Sequence, residues 1–288
     1  MTTQAATLDV VPVTEARGTW LDALRAIRVV WKRELIRWSR NRTRILTTLV
    51  QPVLFLFVLG SGLASLMPPQ GGGLDFRTFL FPGVLSMVVL FTAIFSAVSI
   101  VWDREFGFMR EMMVAPVPRS SLVIGKCLGG ATVATIQGTI LLSLAGLVHV
   151  PYNPLLIATL LGEMALTAFT LTAFGVFAAS RMQQVESFQV VMQFFVLPMF
   201  FLSGAVFPLT GLPPWLDALT KIDPLTYPVD AIRRAILSHV TLGPGSSALA
   251  RPLMWGHWVL PTTFELGIAL AVGLAFIGGA VAQFSRAE

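Results

Sequence analysis

Residues 79–121 read FLFPGVLSMVVLFTAIFSAVSIVWDREFGFMREMMVAPVPRSS. The first 23 carry no charge, and Asp103, Arg104 and Glu105 follow almost at once. An apolar run of about 20 residues is long enough to cross a bilayer core as one helix. The segment therefore predicts a span that ends at a membrane surface, then a charged loop in water. Further apolar runs near 45–67, 122–148, 155–179, 187–207 and 259–284 repeat the pattern around the span near 79–101. The chain is read as an all-α polytopic membrane protein with six transmembrane helices. Composition agrees: 55% of the 288 residues are hydrophobic and 12% charged, against about 25% charged in soluble domains.

The net charge of +5 is unevenly placed. Nine of the 20 Lys and Arg precede residue 45, which is the positive-inside pattern, with membrane lipid headgroups as natural partners. With the N-terminus inside and six crossings, 15 basic residues fall on the cytoplasmic side and 5 outside. This predicts a multi-pass protein of the plasma (inner) membrane with both termini cytoplasmic. No finger or aromatic-basic sheet motif accompanies the charge, so nucleic acid is not an expected partner. A single cysteine, Cys127, excludes an internal disulfide and a multi-cysteine metal site. The three histidines have no metal spacing. Residues 1–18 are expected to be disordered, with no signal peptide.

Residues 19–44 are expected to form an amphipathic helix in the membrane interface. Trp20, Leu24, Ile27, Trp31, Leu35 and Trp38 recur at steps of three and four, and basic residues such as Arg33 take most of the remaining positions. The alternative, a helix packed on a soluble domain, has no such domain to use. Residues 45–288 are expected to hold the six spans, with a kink at Gln51-Pro52. Pro82 is placed in the first turn of the second span, where proline is tolerated. Residues 208–258 carry seven prolines and are not expected to span.

The loop 102–121 has an apolar stripe at Phe106, Met109, Met112 and Met113, and Ala115-Pro116-Val117-Pro118 ends it. Its acidic and basic residues balance. A lipid-surface helix is usually net basic, so a groove on a partner protein is favoured. Arg104-Glu105, Arg110-Glu111, Ala115-Pro116-Val117 and Arg119 resemble the cytoplasmic loop of ABC-2 type permeases. Two later segments resemble the same family: residues 201–208 (FLSGAVFP), and Leu212-Pro213 with Trp215-Leu216 followed by residues 223–233 (DPLTYPVDAIR). Asp223 stands where the family usually has Asn. The resemblance covers the chain from about residue 30 onward, and is strongest to drug-export, daunorubicin-resistance-like members.

The resemblance implies a coupling helix that contacts a separate ATP-binding subunit through Arg104, Glu105, Phe106, Met109, Arg110, Glu111, Met112, Pro116 and Arg119. It also implies two permease chains, identical or different, with two ATP-binding subunits. Between the fifth and sixth spans it implies a pair of re-entrant helices on the outside. ATP and magnesium would be bound by the partner, with no cofactor in this chain.

The residues agree that the chain is not itself an ATPase. Gly125-Lys126-Cys127 lacks the glycine and hydroxyl spacing of a P-loop, and Lys126 is expected to snorkel to headgroups. The spacing Gly125-xxx-Gly129 permits close helix approach. A carboxylate in mid-bilayer costs on the order of 2.5–3.5 kcal/mol, so Glu163 and Glu265 are expected to face protein or a water-filled cavity. Glu163 is a candidate for selecting cationic cargo, or else a structural neighbour of a basic residue. Gln193, Met192, Phe195 and Met199 of the fifth span are further substrate-path candidates, and Gln51 and Gln137 are expected to bond across helices. The expected function is an exporter permease for an amphipathic drug, antibiotic or lipid-like molecule, with drug efflux and antibiotic resistance as the setting. The alternatives are a polysaccharide or glycolipid exporter and a non-transport sensor or scaffold.

Overall fold

The computed structural model describes residues 20–62, 76–107, 118–209, 211–240, 251–256 and 258–286. The expectations for residues 1–18 and for Met109, Arg110, Glu111, Met112 and Pro116 lie outside the described residues.

Helix α1 (Trp20–Arg40) ends at Asn41, whose φ of −98° and ψ of 69° leave the helical region. The Asn41 Oδ1 accepts the Arg44 backbone N–H at 3.1 Å, so the break is also an N-cap. Helix α2 (Arg42–Leu54) begins three residues before its expected span. It runs on through a π turn, Phe55–Leu59. Pro52 removes one backbone donor, and the wider turn follows it.

Helix α3 (Phe76–Ser96) and helix α4 (Val98–Glu105) form one apolar rod interrupted at Ala97. This rod is the most buried of the apolar helices and carries the core, with Phe79, Phe81, Leu85, Leu90 and Ile94 inaccessible to solvent. Pro82 lies inside α3, not in a first turn as expected. The helix starts earlier because Phe76 packs on Phe79, with centroids 5.8 Å apart, and Arg77 reaches the Ser61 hydroxyl at 2.9 Å.

Helices α5 (Arg119–Leu142), α6 (Pro154–Ala179) and α7 (Val185–Leu202) follow. Then come two short helices, α8 (Pro214–Ile222) and α9 (Thr226–Leu237). A two-stranded antiparallel hairpin pairs β1 (Met254–Trp255) with β2 (Trp258–Val259), and α10 (Thr262–Arg286) closes the described chain. The fifth apolar helix stops at Leu202, short of residue 207, because Gly204 turns the chain with φ of 73°. The last begins at Thr262, not 259, because Trp258 and Val259 belong to the hairpin.

Among the described residues, five helices are long and apolar enough to cross a bilayer, lying at 42–62, 76–105, 154–179, 185–202 and 262–285. The expected third span is missing from them. Helix α5 has the length, about 36 Å at 1.5 Å per residue, but it contains Lys126, Gln137 and several glycines. Its polarity matches its place. It packs against α1, α3, α6 and α10, so protein surrounds most of it where lipid would demand apolar side chains. Gln137 bonds across to α2 as expected, its Nε2 donating to the Ile45 carbonyl and the Thr48 hydroxyl, each at 2.9 Å. Gln51 is exposed.

Glycine sets two close approaches. A Cβ on Gly125 would lie 2.9 Å from Val30 Cβ, and one on Gly129 would lie 2.8 Å from Glu34 Cβ. The expected Gly125-xxx-Gly129 contact is thus made, and its partner is α1. This adds a protein-facing side to α1 that the sequence reading did not assign. Val30 and Glu34 are buried while Trp20 and Leu24 are 71% and 53% exposed, because the helix turns Ile27, Val30 and Glu34 toward α5. Gly83 is tighter still, since a Cβ there would sit 2.0 Å from the Ala205 carbonyl oxygen.

Gly83→Ala is expected to destabilise the protein by about 1–3 kcal/mol. Gly162→Ala, where a Cβ meets nothing within 4 Å, should be neutral or stabilising. Thermal unfolding of both variants in the same detergent checks this.

Candidate functional site

At one end of the bundle an ammonium is buried among acids. Lys126 Nζ lies 2.5 Å from Asp103 Oδ2, 3.2 Å from Glu34 Oε1 and 3.0 Å from Ser99 Oγ. Arg33 Nη2 adds a 2.7 Å bond to the same Asp103 oxygen. Lys126, Asp103 and Glu34 are all buried. Lys126 therefore does not snorkel to headgroups, because three acceptors converge on it inside the protein. Arg33, expected to face lipid, reaches inward as well. The cluster ties α1, α4 and α5 together and balances two cations with two carboxylates.

Next to it, the described part of the expected coupling segment is occupied by helix ends. Arg104 Nη1 donates to the carbonyls of Ser180 at 3.0 Å and Met182 at 2.7 Å, beyond the C-terminus of α6. Its guanidinium also lies 5.7 Å from the Phe284 ring centroid. Glu105 Oε2 accepts the Val185 N–H, at the first residue of α7, at 2.9 Å. Arg119 Nη1 donates to the Phe284 carbonyl near the end of α10 at 3.1 Å. Cations at C-terminal ends and an acid at an N-terminal end agree with the helix dipole. Phe106, from the expected docking stripe, is 69% exposed.

A cavity of about 1020 Å³ opens beside this cluster. It is lined by Arg37 and Trp38 of α1, Arg44 of α2, Phe91 and Phe95 of α3 and Phe194 of α7. Of the sequence candidates, Gln193 and Trp38 line it. Met192 is buried in the core, Met199 packs against it, and Phe195 meets Phe174 edge-on with centroids 6.0 Å apart. Trp31 donates from Nε1 to the Thr132 hydroxyl at 3.0 Å. Sequence reasoning missed Glu34, Arg37, Arg44, Trp102 and Asp103. One signal was available: Glu34 continues the Ile27–Val30 stripe by four residues, placing a carboxylate on an inward face.

At the far end α9 acts as a pin. Asp230 Oδ2 accepts from Arg234 Nε at 2.8 Å and from the Leu253 N–H at 3.0 Å. Arg234 also donates to the Leu260 carbonyl at 2.7 Å and pairs with Glu265 on α10. Glu163 is buried on α6 in the field of Arg234 and is not among the cavity-lining residues. Arg233 donates to the Gly204 carbonyl and sits 4.9 Å over the Phe79 ring. The two later resemblance segments are therefore one contact in space. Asp223 Oδ1 accepts the Leu225 N–H at 3.0 Å, and burial pushes the Asp223 carboxyl up to about 8.

The profile of the ABC-2 type transporter family matches residues 25–237. Nodulation protein J of Neorhizobium galegae is 27% identical over 249 residues, 84% of this chain and 90% of that protein. Nodulation protein J of Rhizobium leguminosarum bv. viciae is 28% identical over 214 residues, 72% and 81% of the two chains. The probable multidrug ABC transporter permease YbhR of Escherichia coli (strain K12) is 28% identical over 171 residues, 59% of this chain and 46% of that protein.

Lys126→Met takes the shared ammonium from two buried carboxylates and leaves only the half-exposed Arg33 guanidinium beside them. It is expected to cost about 3–5 kcal/mol, and Asp103→Leu in the same chain should return part of that; double-mutant thermal denaturation measures the coupling. Asp223 holds a proton in the folded chain that the unfolded chain, with its ordinary value near ~3.9, releases. Its contribution is complete below about 4 and is lost as pH rises toward 8. Wild type should lose melting temperature across that window, and Asp223→Asn should lose less.

Proposed function

The chain belongs to the ABC-2 type transporter family, and on that premise we propose that it is the membrane half of an ATP-driven exporter for amphipathic drug-like, antibiotic or lipid-like molecules. Permeases of this family are not enzymes in themselves and work with an ATP-binding subunit. The assembly we infer has two permease chains and two ATP-binding subunits in a plasma (inner) membrane. Helix α5 serves as the third of six spans in this reading, inside a protein sheath. Both termini face the cytoplasm, with α8 and α9 as the outer re-entrant pair.

The observation that carries the reading is the cavity. Its size suits a lipid-like molecule, and its walls run from guanidinium and indole groups to phenylalanine. It also adjoins the Lys126 cluster, which links residue 103 to α1. A push on the segment after α4 moves Asp103. Asp103 moves Lys126 and Glu34, and α1 carries Arg37 and Trp38 of the cavity wall. The multidrug name of the YbhR relative supports small amphiphiles.

A glycolipid or polysaccharide is the second reading. It is favoured by a row of rings at the far end, where Trp255 and Trp258 each meet Phe264 edge-on, with centroids 6.1 and 5.2 Å away. Such rings stack well on sugar faces.

Val190 lines the cavity and is 67% exposed. Val190→Trp should lower substrate-stimulated ATP hydrolysis by the reconstituted complex about tenfold, an activation change near 1.4 kcal/mol. Leu46→Trp, outside the lining, should not. A wild-type complex whose hydrolysis no amphiphile stimulates would remove the exporter reading.

A further inference from the structure

The cavity described above carries a charge imbalance that its neighbours do not correct. Glu34 is the one carboxylate among its described lining residues, and Lys126 holds it at 3.2 Å. The buried Glu34, Asp103 and Lys126, with the partly exposed Arg33, are already neutral, two acids against two cations. Arg37 and Arg44 are left over, and neither makes an ion pair to a carboxylate among the described residues.

Both guanidiniums are held in place all the same. Arg37 lies over the Trp102 ring at 5.2 Å. Arg44 donates one Nη2 bond at 3.3 Å to the Phe95 carbonyl on the opposite wall, which leaves most of its donors for another acceptor. Two like charges beside apolar walls repel, and an anion between them removes that cost. The planar fork of arginine matches two oxygens of a phosphate, sulfate or carboxylate. The same lining holds Phe91, Val190 and Phe194, which suits an acyl or polycyclic body.

Resting on the exporter reading, we propose that this cavity takes an amphiphile with an acidic headgroup, held by Arg37 and Arg44. Cationic cargo is thereby disfavoured, and Glu163 does not select it. The acidic amphiphile is either cargo or a resident anionic lipid, since the chemistry of recognition is the same.

The test uses the full chain with its ATP-binding partner in phosphatidylcholine nanodiscs. Dodecyl phosphate, dodecyl maltoside and dodecyltrimethylammonium share one tail, and binding is read from tryptophan fluorescence without nucleotide. Wild type should bind the phosphate about tenfold more tightly than the maltoside, the worth of one charge-assisted contact, and the ammonium most weakly. Arg37→Gln with Arg44→Gln should erase the preference and leave maltoside binding unchanged. Arg44→Lys should keep part of it, which guards against a misfolded double variant. Arg28→Gln, outside the lining, should keep all of it. A phosphate preference that survives in the double variant, or an ammonium bound as tightly as the phosphate, overturns the proposal.

Two further arms identify the source. ATP-driven release of dodecyl phosphate marks cargo. Phosphatidylglycerol that displaces the probe and stays through turnover marks a resident lipid. ATP-driven movement of amphiphiles without any acid preference would leave the exporter standing and this inference fallen. Acid preference without any movement would do the reverse.

Discussion

The Lys126 ammonium sits where water does not reach, between carboxylates from two other helices. Burying an ion costs several kcal/mol even after relaxation, so the geometry around it must be good and cannot drift. That requirement fixes three things together: the depth of α1 against α5, the rotation of α5, and the end of the α3–α4 rod. Glycines at 125 and 129 let α1 come close enough for Glu34 to reach. Without that approach the acid and the ammonium would each face apolar surroundings alone. The cluster acts less as a source of stability than as a gauge of registry.

Much of the architecture could be read from the sequence because the bilayer leaves few choices. Runs of apolar residues must be helices when no water is present to satisfy the backbone, and five of the expected spans are such helices. That residues 20–40 form a helix was legible from its 3.6 period, and two short helices, 214–222 and 226–237, lie between the last two long apolar helices. What stayed hidden was pairing across helices. Lys126 looked like a span-end lysine because periodicity says nothing about acids on other helices. Glu34 lay in a basic stretch that drew attention to charge count and away from its position on the stripe. On α1 the closest packing against α5 belongs to Val30 and Glu34, which a composition argument ranks low.

The segments that carry the family resemblance behave as joints. Arg104 and Glu105 close the ends of α6 and α7, and Arg119 closes the end of α10. Arg233 and Arg234 do the same work at the opposite end, joining the turn after α7 to α3, α9 and α10. Arg119 satisfies a carbonyl in the last turn of α10, while Arg104, Arg233 and Arg234 satisfy carbonyls of the chain between helices. A force on the segment after residue 105 therefore meets four helices at once through short polar contacts. The cavity shares α4 and α7 with the first of those joints, through Trp102 and Gln189.

The π turn at Phe55–Leu59 has a consequence for the open side of α2. Leu46, Val50, Leu54 and Val58 are spaced by four and all exposed. In a straight α-helix, steps of four overrun the 3.6-residue turn and the row winds slowly around the cylinder. A turn that holds an extra residue winds it back. The four side chains thus stay closer to a single vertical seam, a straight greasy edge that lipid tails or a neighbouring helix can lie along without twisting.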